Sequence, residues 1–253
     1  MPDAVLKGLA VPAALLLAAE VALRATGLRS DALAPPSAVL FALIGALRDG
    51  SMLAATGQTL YGAALGLVVG GAVGLALGIL LGLSRPADRL LEVTVEAVRP
   101  IPSIALIPIA LLVLGFGPGM EIAIVAFSCV WPILILARAA VAGVEPQLLE
   151  VARALGLSFG ARVVKIVLPA ALPRLLVALR VAVGVALVVA VTVEIAADPR
   201  GLGNAIMVAE QALQPALMLA YLLWIGLIGF ALNAALGVAQ GRLLGPAAAG
   251  ARP

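Results

Sequence analysis

Histidine is absent from this sequence and cysteine occurs once, as Cys129. A disulfide framework within the chain, a zinc site and imidazole acid or base catalysis are thereby excluded, and most hydrolase mechanisms go with them. No other metal-ligating cluster is apparent, so no metal is expected. Charge is scarce as well: 11% of residues are charged and 4% are aromatic. The small positive excess, +3 overall, forms no basic stripe interleaved with aromatics, so nucleic acid is not an expected partner.

Apolar surface is what the chain has in quantity. At 64% hydrophobic residues it exceeds what a soluble domain keeps out of water, which makes the bilayer the implied solvent. Stretches of about 20 residues with few or no charges match the length a helix needs to cross a hydrocarbon core of about 30 Å. They fall at 9–23, 53–83, 95–116, 122–141, 175–196 and 217–238. The expectation is an all-α membrane protein of about six spans in one domain, 1–253. The 27 glycines and 17 prolines are no objection, because neighbouring helices satisfy backbone groups freed within membrane spans. Lys7 and the apolar run 9–21 resemble a signal peptide, but Glu20 and Arg24 follow where a small-residue cleavage site belongs, so the run reads as a retained first span. After Pro35 and Pro36, the stretch 38–47 carries Val39, Leu40, Leu43 and Leu47 on one face and suits a helix in the membrane interface. The Gly, Ala and Pro tail, 245–253, reads as a frayed end.

Six spans put both termini on one side. With that side taken as cytoplasmic, twelve Lys and Arg lie inside, and four (Arg24, Arg29, Arg48 and Arg200) lie outside. This bias makes 142–174 a cytoplasmic loop, far longer than a simple connection needs. Leu148, Val151, Ala152 and Leu155 recur in it at spacings of three and four, giving an apolar face suited to docking in a protein groove. Gly156 is placed to end that helix and Ser158 to cap the next, with Pro169 and Pro173 as the elbow into the following span. On pattern alone, an amphipathic helix pair lying on the bilayer accounts for the loop equally well.

The spacing within the loop is more specific. Glu150, Val151, Ala152, Gly156, Ile166, Leu168 and Pro169 resemble the EAA loop of binding-protein-dependent ABC importer permeases: Glu-Ala-Ala, three residues, Gly, nine residues, Ile-x-Leu-Pro. Val151 departs from the usual alanine. The resemblance implies a type I ABC importer transmembrane domain whose coupling helix spans Leu148, Glu150, Val151, Ala152, Arg153, Ala154, Leu155, Gly156 and Ser158. It further implies two partner ATPase subunits, an extracytoplasmic solute-binding protein and a second permease copy, in a homodimer or with a close relative, within the bacterial inner membrane. ATP and magnesium then belong to the ATPase, in keeping with the lack of a G-x-x-x-x-G-K-[ST] loop here. Three stretches are similar to the nitrate, sulfonate and taurine branch: TLYGAALGLVVGGAVGLALGILLGLS (59–84), RPIPSIALIPIALLVLGFG (99–117) and 179–206 with GLGNAI after Glu194. The branch implies a small anionic solute. Val193, Leu187 and Asn233 stand where alanine, tryptophan and aspartate are common in it.

Candidate pathway residues follow from membrane depth. Gly66, Gly70, Gly74 and Gly78 form a small-residue face that reads as helix packing. Pro100, Pro102 and Pro108 interrupt the third span, either as a kink absorbed by neighbours or as a break exposing carbonyls to a cavity. Glu194 near the outer end of the fifth span is the sharpest ionisable candidate; Arg180 lies at the cytoplasmic end of that span, where it can snorkel, and Gln58 and Glu121 lie near the outer interface. A secondary transporter is the alternative, lacking the two similar halves it needs. An integral-membrane enzyme comes third, for want of clustered catalytic groups.

Overall fold

The computed structural model describes residues 2–26 and 30–244, with side chains over 10–26 and 30–243, and every regular element among them is helical. Helices α1 (Pro2–Thr26), α2 (Pro36–Arg48) and α3 (Ser51–Leu83) are followed by α4 (Arg85–Val98), a 3-10 turn (Ser103–Leu106) and α5 (Ile107–Leu114). Then come α6 (Pro118–Ala142), α7 (Pro146–Ala154), α8 (Phe159–Arg162), a π-helical turn (Val163–Val167), α9 (Leu168–Ala196), α10 (Gly201–Gln211) and α11 (Pro215–Leu244). Among the described residues four helices are long and apolar enough to cross a membrane, and α4 with the segment Ser103–Leu114 makes a fifth if the bent pair is one span. The 25-residue α1 covers the stretch expected as the first span. The tail 245–253 lies outside the described residues.

The bundle is organised around the parallel pair α3 and α6, with α9 packed on both. The reason is a line of missing side chains. A Cβ on Gly66 would strike Val125, one on Gly70 the Ala126 carbonyl, one on Gly74 the Val130 carbonyl, and one on Gly78 the side chain of Ala137. Small residues let two backbones approach where lipid tails offer no hydrophobic drive for association, so the four-residue glycine period is a packing face. It extends to Gly62 and Gly82, which meet Glu121 and Val141 in the same way. Cys129 is buried in the middle layer with Ala63, Val125, Ala186 and Ala190.

Three local expectations need correction. The expected span 95–116 takes the broken of its two readings and starts earlier: α4 runs from Arg85 to Val98, and the axis turns by 81° between it and the segment Ser103–Leu114. Pro100 and Pro102 donate no backbone hydrogen bond, so the ladder stops there, whereas Pro108 sits in the first turn of α5, where its missing N–H costs nothing. Pro169 and Pro173 make no elbow, since Phe159–Ala196 runs as one 38-residue helix. The π turn just before Pro169 widens the spiral where that ring meets the preceding turn, and Pro173 lies inside the continuous α9. Finally, α2 packs onto the bundle: Val39, Leu43 and Ala46 join Met52, Ala55, Leu202 and Tyr221 in one cluster. Leu40, expected on the same face, points outward at 52% exposure.

Two ends of the bundle follow. The ends of α3 and α6 and the start of α9 meet in the cluster on which Leu149 of α7 packs, while the start of α3 and the end of α9 pack on α10.

Candidate functional site

At the first end, the loop between α6 and α9 is a built object. Pro146 opens α7 in the first turn, where no donor is required. At its far end Gly156 takes φ +62°, Gly156 N–H donates to the Arg153 carbonyl (2.9 Å) and Leu157 N–H to the Ala152 carbonyl (3.1 Å). This is a Schellman closure, which a left-handed glycine completes without steric cost. The Ser158 hydroxyl accepts from Ala161 N–H at 3.4 Å and starts α8.

The sequence grouped Leu148, Val151, Ala152 and Leu155 on one face, and here the structure differs. Ala152 is fully buried, and its neighbour Leu149 packs on the cluster of Val144, Val167 and Ala171. Leu148, Val151 and Leu155 remain outside at 38%, 52% and 67% exposure. An apolar arc of this width has two sides: the smaller residue ties α7 to the bundle, and the larger three face outward. Glu150, Arg153, Ala154, Gly156 and Ser158 are exposed around them. Of the motif's end, Ile166 and Leu168 are half-buried and Pro169 is exposed.

At the opposite end, three side chains converge on the start of α10. The first N–H groups of any helix lack internal partners. Gly201 N–H donates to Gln58 Oε1 (2.9 Å), Leu202 N–H to Thr59 Oγ1 (2.9 Å) and Gly203 N–H to Glu194 Oε2 (2.8 Å). The positive helix terminus favours the carboxylate there, and Gly201, at φ +84°, leaves no room for a Cβ beside it. Glu194 is 2% exposed, so the ionisable group at membrane depth is held as a cap in this conformation. Asp198, equally buried, takes the Arg200 guanidinium at 3.2 and 3.3 Å. Glu121 lies under Gly62 at 4% exposure, its Oε1 without a hydrogen-bond partner. Three cavities open here: one of about 430 Å³ includes Ser51, Gln58, Arg200 and Asn204 in its wall, one of about 350 Å³ includes Gln58, Tyr61, Glu121 and Arg200, and one of about 560 Å³ includes Glu194, Asp198 and Asn204.

Residues 74–245 match the family model of the binding-protein-dependent transport system inner membrane component. The chain belongs to that family. Among curated proteins, this permease is 28% identical over 207 residues to the putative aliphatic sulfonates transport permease protein SsuC of Bacillus subtilis, covering 81% of this chain and 75% of that one. It is 30% identical over 192 residues to the taurine transport system permease protein TauC of Escherichia coli, covering 76% and 66%. Its fold is that of the transmembrane domain in an inward-facing structure of the MetNI methionine ABC transporter, with a TM-score of 0.61 at 21% identity over 74% of this chain and 95% of that one. The permease is thus a multi-pass inner-membrane transport subunit, not an enzyme, and it works with a separate ATPase and a solute-binding protein.

The permease does not gather its sequence-derived pathway candidates at one place. Gln58 and Glu194 meet at the α10 cap, Pro100, Pro102 and Pro108 are exposed along the broken segment, and Arg180 reaches from α9 to Asn233 Oδ1 on α11. Thr59, Asp198 and Arg200 were missed as site residues. The polar run Asp198-Pro199-Arg200 immediately after a span, leading into glycine, was the available signal for a capped helix start.

Proposed function

We propose that this permease carries a small anionic solute, of the sulfonate, taurine or nitrate kind, by alternating access, and that α7 is the handle its ATPase grips. The observation that supports the reading best is the form of α7: a short helix, opened by Pro146 and closed by Gly156, fixed to the bundle by Ala152 and presenting Leu148, Val151 and Leu155 outward. Exposed leucines on a rigid short helix suit a hydrophobic groove on another protein. In this reading 142–174 and both termini are cytoplasmic, as the excess of Lys and Arg on that side favours. Two copies of the chain stand over two ATPase subunits, which alone bind ATP and magnesium. A secreted binding protein meets the α10 end. Closure of the ATPase pair moves the α7 helices, and rigid-body rocking of the bundles exchanges inward-open and outward-open states. The names of the sulfonate and taurine permeases support the solute class.

Co-purification tests the reading. Deleting 148–158 is expected to abolish capture of the ATPase while membrane insertion persists. The double variant L148D/V151D, which changes only exposed side chains, is expected to do the same with the fold intact. ATPase capture at the wild-type level by both variants would refute the docking role.

A further inference from the structure

Among the described residues three guanidinium groups are paired with carboxylates: Arg24 with Glu20, Arg138 with Asp88 and Arg200 with Asp198. Arg180 is held differently. It lies five residues into the span 175–196, about 24 Å along the axis before the end of α9 at 1.5 Å per residue, and both it and Asn233 are exposed at the surface of the single chain. Within a membrane span a guanidinium is costly unless it faces a bundle interior or water and finds partners. Its Nε–H donates to Asn233 Oδ1 of α11, and among the described residues no carboxylate is within ion-pair distance. The contact orients the guanidinium and cancels none of its charge, because an amide is neutral.

A void lies beside this pair. A cavity of about 120 Å³ between α9 and α11 is walled by Arg180, Asn233, Leu187, Gly184 and Gly229. Gly184 and Gly229 leave space in its wall: a Cβ on Gly184 would meet nothing within 4 Å, and one on Gly229 would make an ordinary contact with Leu187 at 3.5 Å. Leu187 and Asn233 are thus in the same wall as Arg180. Leucine leaves space that an indole would fill, and asparagine leaves a charge that aspartate would neutralise.

The geometry points to the Arg180, Asn233 and Leu187 cavity as a binding site for a small oxyanion, a sulfonate or nitrate head group, within the membrane part of the permease. The guanidinium supplies the charge and a planar fork of donors beyond the one spent on Asn233. The asparagine amide NH₂ adds a donor on the same side and repels no anion. The walls are otherwise apolar, which strengthens a charge-assisted hydrogen bond. The inference rests on the anion-import reading for its biological sense, but its chemistry is independent of the ATPase.

The test uses the full chain in lipid nanodiscs, without ATPase, in a gluconate background whose bulky anion does not fit the cavity. Nitrate or methanesulfonate is titrated in and the thermal unfolding midpoint is read, since a ligand that binds only the folded state raises it saturably. Wild type is expected to show that rise. R180Q, N233D and L187W are each expected to weaken the apparent affinity at least tenfold, by removing the charge, neutralising it and filling the space. N233D is the decisive variant, because the carboxylate it introduces pairs with Arg180 and keeps the helices together, so lost binding is not lost folding. No saturable rise in wild type, or affinity within twofold of wild type in N233D, overturns the site. If the anion binds as expected while L148D/V151D still captures the ATPase, the docking reading alone fails. If capture is lost and N233D binds normally, this inference alone fails.

Discussion

Glu121 illustrates what a single side chain can cost this protein. Its carboxyl is buried, one oxygen has no partner, and Glu194 and Asp198 stand near it at the same end of the bundle. Three carboxyl groups there share one guanidinium, Arg200, which Asp198 already holds. A buried polar atom left unsatisfied costs about 1–3 kcal/mol. Glu121→Gln is therefore expected to raise stability or leave it unchanged, and Gly62→Ala to lower it by about 1–3 kcal/mol, since the new methyl has no space against the same carboxyl. Denaturant or thermal unfolding in detergent measures both. A loss of stability in the glutamine variant would mean that the carboxylate is satisfied by a partner in the working protein. The Glu194 side chain is the opposite case. Membrane depth marked it as a pathway group in the sequence, yet the loop that folds back to place Gly203 N–H against it is a tertiary event that no local pattern announces.

At the scale of elements, the α3 and α6 seam and the α10 cap make separable demands. Gly70→Ala and Gly74→Ala drive a methyl into a backbone carbonyl of α6 and are expected to destabilise by about 1–3 kcal/mol or more. Gly57→Ala, on the same helix but facing open space, is expected to be neutral or to stabilise by up to about 1 kcal/mol through helix propensity. Equal effects at Gly57 and Gly70 would dismiss the seam. For the cap, Thr59→Val removes the acceptor of Leu202 N–H and is expected to cost about 0.5–2 kcal/mol, with Thr59→Ser close to wild type. Faster hydrogen exchange confined to the first turn of α10 is the specific signature. The glycine seam was legible because a period of four on an apolar helix has a direct geometric meaning. The break after Val98 was half legible: two prolines stop a ladder, but the size of the turn depends on what α5 finds to pack against, namely Met120 and Ile124 through Ile107. The continuous passage through Pro169 and Pro173 was not legible, because the π turn that precedes Pro169 and the packing that keeps α9 helical through Pro173 have no local sequence signal.

For the whole molecule, the question is how motion at α7 reaches the membrane. The loop motif was readable from spacing alone, since caps and glycine closures are local; which of its apolar residues face outward was not, since that depends on the bundle behind them. Ala152 and Leu149 form the mechanical tie, backed by Val144, Val167 and Ala171, and this cluster joins the end of α6 to the start of α9. A push on α7 is thus delivered to two long helices at once. Docking and transmission are then separate properties of neighbouring residues. Ala152→Leu adds volume where the native side chain is fully buried, so it lifts α7 from the bundle while leaving Leu148, Val151 and Leu155 in place. The expected result is normal capture of the ATPase, persistent ATP hydrolysis and at least a tenfold loss of solute uptake in proteoliposomes. L148D/V151D, by contrast, loses capture and uptake together. If Ala152→Leu loses capture as well, the outward face and the tie are one surface, and the division of the arc into a gripped side and an anchored side is wrong.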